Sequence, residues 1–152
     1  MSLRKTTALP LTHTTTTYTP IRIPVHNPAE IQDAVGKFAA EPNGGLIVVP
    51  PGLVGAERDM VFRQAARHRL PAIYQAKAYA RDGGLMSYGA DAADLFRQSA
   101  IFVDRILRGA KPGELPVQVP TKFELAINLK TAKAMGLEIP AMLLARADEV
   151  IE

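Results

Sequence analysis

From residue 21 onward, the apolar positions fall into short runs of strand length separated by stretches with helical spacing. Ile21, Ile23 and Val25 alternate with Arg22, Pro24 and His26, which predicts a short strand with Pro24 near a sheet edge. Asn27 is placed to cap a helix, with Pro28 at its first position and Glu30 at its third. Ile31, Val35 and Phe38, spaced i, i+4 and i+7, form the buried face of that helix. Asn43-Gly44-Gly45 then breaks the chain before Leu46-Ile47-Val48-Val49, a continuous apolar run of the kind a parallel sheet covers on both faces.

The cycle repeats twice. Pro50-Pro51-Gly52 turns the chain, residues 56–68 read as a helix carrying Met60, Val61, Ala65 and Ala66, and Ala72-Ile73-Tyr74 is a strand. A short helical stretch around residues 76–80 ends at Gly83-Gly84, and Leu85-Met86-Ser87-Tyr88 is the next strand. Residues 91–108 make the longest helix, with Leu95, Ser99, Phe102, Val103 and Ile106 on one side and Gly109 as its stop. Strands alternating with helices in this order imply βαβ crossovers and an α/β fold, a three-layer open, mostly parallel sheet with helices on both faces.

Both ends depart from this rhythm. Residues 1–20 are rich in threonine, carry no acidic residue and lack a sustained apolar stretch, so they are expected as a loose tail and not as a secretory signal. Residues 21–112 form the α/β lobe, and residues 113–152 a crossover linker, a returning strand and terminal helices. Within that last part, Phe123, Leu125 and Ile127 alternate with polar or small residues, Asn128 can cap a helix ending near Gly136, and Pro140 can open a final helix carrying Leu143, Leu144, Ala147 and Val150. A strand reached through so long a proline-rich connection is expected to cross to another lobe or another chain.

Composition removes several classes of function. The 152 residues are 47% apolar and 22% charged, which fits one globular domain, and no run approaches the length of a membrane span. The net charge of +3 comes from basic residues spread along the chain, the tightest group being Arg63, Arg67, His68 and Arg69, without interleaved aromatics; no nucleic-acid partner is expected. Cysteine is absent, and His13, His26 and His68 stand apart from one another in the sequence, so no metal site and no cofactor is expected.

Ligands of open parallel sheets bind beyond the carboxyl ends of the strands, where helix N-termini and free backbone N–H groups converge. That rule selects Pro50-Pro51-Gly52, Tyr74-Gln75-Ala76-Lys77 and Tyr88-Gly89-Ala90-Asp91. Tyr74 and Tyr88 end successive strands; their rings either stack on a planar ligand or pack against neighbouring helices. Asp91 either pairs with a ligand ammonium or simply caps the helix behind it. No phosphate loop, dinucleotide fingerprint or nucleophile elbow is present, and Asp91 and Asp94 lack the facing group of a catalytic pair. The sequence therefore reads as a binding protein with no catalytic residue, not an enzyme.

From Ile21 to the end, the chain resembles the second half of substrate-binding proteins of ABC transporters, of the tryptophan/phenylalanine-binding-like, periplasmic type I group. The resemblance is carried by Gly45 to Pro50, His68 to Tyr74, Gly83 to Asp91, Ile106 to Pro112, Leu115 to Val117 and Pro120 to Lys133. It implies an exported, bilobal protein about twice this length, which holds a small organic solute (an amino acid or an aromatic or organic acid) between two lobes and delivers it to transporter membrane subunits. The strand near Phe123 and the terminal helices are implied to return toward the first lobe. Family ligand positions map onto Pro51, Tyr74, Gln75, Tyr88, Gly89 and Asp91. Read as given, the chain lacks the first lobe and an export signal, so the expectation is an incomplete lobe: periplasmic by resemblance, cytoplasmic if the reading frame stands alone. Lobe surfaces left bare and an unprotected sheet edge imply a homodimer, with exchange of the Phe123 strand as one route. Two other readings stand beside this one. An effector-sensing or dimerisation module of a transcriptional regulator shares the architecture, and a small flavodoxin-like enzyme shares the strand and helix order.

Overall fold

A computed structural model describes residues 2–5, 18–49 and 53–152. The elements in chain order are β1 (Ser2–Lys5), β2 (Tyr18–Ile21), α1 (Pro28–Ala39), β3 (Gly44–Val48), α2 (Leu53–Ala56), α3 (Arg58–Arg67), β4 (Ala72–Tyr74), α4 (Lys77–Arg81), β5 (Met86–Ala90), α5 (Ala92–Leu107), β6 (Phe123–Asn128), α6 (Leu129–Met135), α7 (Ala141–Leu144) and β7 (Glu149–Ile151). They build one sheet of order β2-β1-β3-β4-β5-β6-β7. From β3 to β7 three of the four pairings are parallel, and β5 with β6 is the antiparallel one. The fold is α/β with a mixed, mostly parallel sheet across those five strands. β1 adds antiparallel to β3, and β2 to β1.

The helix caps follow the sequence closely. Asn27 Oδ1 accepts the Glu30 N–H at 3.0 Å, and Glu30 Oε2 in turn accepts the His26 N–H at 2.8 Å, a reciprocal arrangement that satisfies two orphan donors. That backbone bond from His26 is the main reason the Glu30 carboxyl ionises below the usual range. Asn128 Oδ1 accepts from Thr131 N while its amide donates to the Ala80 carbonyl oxygen at 2.8 Å, so the α6 cap is also tied to α4. α6 stops at Gly136, whose φ of 65° is the left-handed conformation glycine adopts without strain.

Side chains alternate across the strands, and the registers fix which share a face. Leu46, Val48, Ala72, Tyr74 and Ser87 lie on one face, where Ile31, Val35 and Phe38 of α1 and Val61 and Ala65 of α3 close over Leu46, Ala72 and Tyr74 as the main core. The opposite face carries Ile47, Ile73, Met86 and Tyr88. α5 buries none of its residues: Phe96 remains 78% exposed and Leu107 82%.

Several expectations change. The strand foreseen at Ile21–Val25 lies earlier, at Tyr18–Ile21; Ile23 and Val25 are irregular backbone packed against the core instead, and Pro24 between them cannot donate to a ladder. Of the expected tail over 1–20, Ser2–Lys5 and the start of β2 run as paired strands, and residues 6–17 lie outside the described residues. The helix foreseen over 56–68 is α3, Arg58–Arg67, and a separate short helix, α2, precedes it across Glu57. The final helix is short, and Glu149–Ile151 becomes β7, parallel to β6.

The largest correction concerns β6. It does not leave for another lobe or chain; it pairs antiparallel beside β5, from Met86↔Ile127 to Ala90↔Phe123. The proline-rich connection is long enough to reverse direction, and a second strand satisfies the polar backbone edge that β5 would otherwise leave open.

Candidate functional site

The carboxyl ends of β4 and β5 and the start of β6 meet at one end of the sheet. An open groove of about 290 Å³ lies there, lined by Ala76, Lys77, Ala78, Arg81, Asp82, Gly89, Ala90, Ala92 and Glu124. The alanines give it an apolar lining, and the charged residues are held in pairs. Lys77 Nζ donates to Glu124 Oε2 at 2.6 Å, joining α4 to β6. Arg81 makes a two-pronged contact with Glu149 of β7 at 2.6 and 2.7 Å. The guanidinium holds the Glu149 carboxyl below its ordinary range. Arg58 reaches Asp82 at 2.8 Å. The rim thus presents cations and carboxylates side by side.

Gly89 shapes the groove by having no side chain. A Cβ at this position would overlap the Gln75 carbonyl oxygen, so the segment leaving β4 crosses directly over β5. Gln75 itself is exposed on that crossing.

Asp91 follows β5 and is only 6% exposed. Its Oδ1 accepts the Asp94 N–H at 3.1 Å as the cap of α5, and its Oδ2 receives Lys122 Nζ at 2.6 Å. The lysine is the main reason the Asp91 carboxyl is held far below the usual carboxylate range, with the Asp94 N–H adding to it. The capping role expected for Asp91 is realised. The ammonium beside it comes from the protein's own Lys122.

The two strand-end tyrosines part company. Tyr74 pairs in register with Ser87, so Tyr88, one residue further on, points to the opposite face of the sheet. Tyr74 is 3% exposed, stacked on Tyr79 with ring centroids 5.6 Å apart and edge-on to Phe62 at 5.1 Å. It is a core residue, and the expectation that it shares a ligand rim with Tyr88 fails on the register. Tyr88 is 55% exposed and stacks on Phe123 at 5.6 Å with the rings 17° apart. Pro51 lies outside the described residues. The structure therefore gathers Gly89 and the Gln75 backbone at the groove, leaves Tyr88 exposed at the same end on the other face, and buries Asp91 as a brace.

Lys122, Phe123 and Glu124 were not anticipated. Each sits beyond the proline-rich connection and reaches the site only because β6 doubles back along β5. Among the described residues no cluster of three His, Asp or Glu side chains gathers, and no helix is long and apolar enough to cross a membrane.

A model of the family described as ABC transporter substrate binding protein matches residues 13–151. The chain belongs to that family. No curated protein matches. Among solved structures, a conserved domain protein from Vibrio cholerae is 29% identical with a TM-score of 0.70, over 81% of this chain and 41% of that one. The ABC domain of a Streptococcus pneumoniae protein, solved in complex with L-Trp, is 27% identical with a TM-score of 0.71, over 84% and 43% of the two chains. A ligand-free, open substrate-binding protein with adhesive properties from Clostridium difficile shares the fold at 20% identity and a TM-score of 0.62, over 84% and 42%. The chain thus spans less than half the length of these relatives.

Proposed function

We propose that this substrate-binding family member captures a small zwitterionic solute, an amino acid, for an ABC-type importer, holding it at the carboxyl ends of β4 and β5 without catalysis. The observation that carries this reading is the groove itself. It has an alanine lining, with Lys77 and Arg81 as cations and Glu124 and Asp82 as carboxylates within one rim. A zwitterion can exchange one charge with each member of such a pair, carboxylate to Lys77 and ammonium to Glu124, so neither partner is left uncompensated. The L-Trp bound to the pneumococcal relative supports an aromatic amino acid as the first to try.

In this reading the protein works at the outer face of the membrane with transporter membrane subunits as partners. Self-association into a homodimer is supported by the apolar side of α5, where Phe96, Val103 and Leu107 stand exposed.

The test is a thermal-shift series on the full chain with L-tryptophan, L-phenylalanine and other L-amino acids, and with tryptamine and indole-3-propionate as analogues lacking one charge each. Solute at 100 times its dissociation constant adds about 2.7 kcal/mol, a rise of a few degrees. The reading expects a selective rise with an amino acid and little with either analogue. Equal rises with the analogues, or none with any amino acid, would count against it.

A further inference from the structure

A second groove lies at the opposite end of the sheet, where Gly83 precedes β5 and Lys130 follows β6. It measures about 380 Å³ and runs between α3 and α6, which pack side by side. Its apolar surface comes from Phe62 and Ala66 of α3 and from Ala134 and Met135 of α6. Phe62 is fixed there by edge-on packing against Tyr74 and Tyr79, with ring centroids 5.1 and 6.4 Å away.

The polar groups of this groove are of one kind. The Thr131 hydroxyl is spent on the Gly83 carbonyl oxygen at 3.0 Å, and the Thr131 N–H on Asn128 Oδ1. What remains are the side-chain donors of Arg63 and Lys130, one on each wall, and neither has an ion-pair partner among the described residues. The acid nearest in sequence to Arg63, Asp59, lies 3.7 Å from Arg58, which also holds Asp82 at 2.8 Å. Arg67 and Lys133, one turn along each helix, add further positive charge near the same groove.

We propose that the α3–α6 groove binds an apolar carboxylate, with Arg63 and Lys130 clamping the carboxylate from the two walls and the hydrocarbon lying on Phe62, Ala66, Ala134 and Met135. A guanidinium and an ammonium, both without an ion-pair partner among the described residues, over an apolar floor match that chemistry and reject cations and neutral polar solutes. The amino-acid groove differs by carrying both signs of charge already paired, so the two sites select different ligands.

The probe is sodium octanoate, followed by amide chemical-shift mapping on the full chain, with 1-octanol and sodium acetate as the apolar-only and charge-only controls. The proposal expects saturable shifts centred on Arg63, Ala66, Lys130 and Ala134, with octanoate bound more tightly than either control. The double substitution Arg63→Gln and Lys130→Gln, both at the surface, should weaken octanoate by about tenfold or more, because each removes a hydrogen bond to a charged group. Shifts centred on the exposed side of α5, equal binding of 1-octanol, or unchanged affinity in the double variant would each overturn it. Octanoate is not a zwitterion, so failure here leaves the amino-acid reading standing, and failure of that reading leaves this one untouched.

Discussion

Lys122 and Asp91 are joined twice: Lys122 Nζ donates to Asp91 Oδ2 at 2.6 Å, and the Asp91 N–H donates to the Lys122 carbonyl oxygen at 3.0 Å. One link is side chain to side chain and the other is backbone to backbone, so the end of β5 and the entry to β6 are locked in register beside the groove. Asp91 also caps α5 with its other oxygen. A single carboxylate therefore positions a strand end, a helix start and the returning chain.

Removing that carboxylate should cost more than removing the lysine. Asp91→Ala leaves Lys122 without its partner and α5 without its cap, and it is expected to lower the melting temperature by several degrees. Lys122→Ala leaves the cap and should lower it less. Because the folded Asp91 carboxyl is held below its unfolded value, its contribution is present above the unfolded value and is lost as pH falls toward the folded one. Stability measured below pH about 4 should fall with a smaller slope in Asp91→Asn than in the parent chain.

Gly89→Ala tests the close crossing of Gln75 over β5. The added methyl group would overlap the Gln75 carbonyl oxygen, a backbone atom that cannot swing aside. Overpacking of this kind costs about 1–3 kcal/mol, readable as a lower midpoint in urea unfolding, and it displaces the segment that lines the groove. An unchanged midpoint together with unchanged solute binding would contradict the crossing.

The two strand-end tyrosines should behave oppositely. Tyr74→Ala removes the centre of an aromatic cluster and should cost about 3–5 kcal/mol, whereas Tyr88→Ala, exposed on the opposite face of the sheet, should leave stability nearly unchanged. Burial pushes the Tyr74 hydroxyl well above the ordinary tyrosine range. Folding then retains a proton that the unfolded chain loses, so the stability associated with this group falls as pH rises above about 10. Absorbance titration should show one tyrosine ionising only as the fold is lost, and Tyr74→Phe should remove that step.

Ser87→Ala is expected to hold or raise stability. The Ser87 hydroxyl is fully buried on β5 and, among the described residues, has no hydrogen-bond partner. Deleting an unsatisfied buried hydroxyl relieves a desolvation penalty of about 1–3 kcal/mol, offset in part by a small void. Urea unfolding of the variant checks the sign.

What was legible in the sequence was local. Asn27, Asp91 and Asn128 were readable as caps because the chemistry of capping spans three residues, and Leu46–Val48 and Ala72–Tyr74 were readable as strands from apolar runs. What was not legible depends on register. Tyr74 and Tyr88 look equivalent at successive strand ends, but the pairing of Tyr74 with Ser87 sends them to opposite faces, and a shift of one residue would reverse that. The contacts of Lys77 with Glu124 and of Tyr88 with Phe123 span 47 and 35 positions. They exist only because β6 returns antiparallel to β5, which no periodicity within either strand encodes. β7 was missed because Val150 fits a helical spacing as well as a strand, and three residues are too few to separate the two.

The most direct test of the central claim is amide chemical-shift mapping of the full chain with L-tryptophan. The account predicts saturable shifts at Ala76, Lys77, Gly89, Ala90 and Glu124, at the carboxyl ends of β4 and β5, which Lys77→Met with Glu124→Gln abolishes. Shifts confined to the α3–α6 groove or to α5, or shifts at the rim that survive the double substitution, would contradict it.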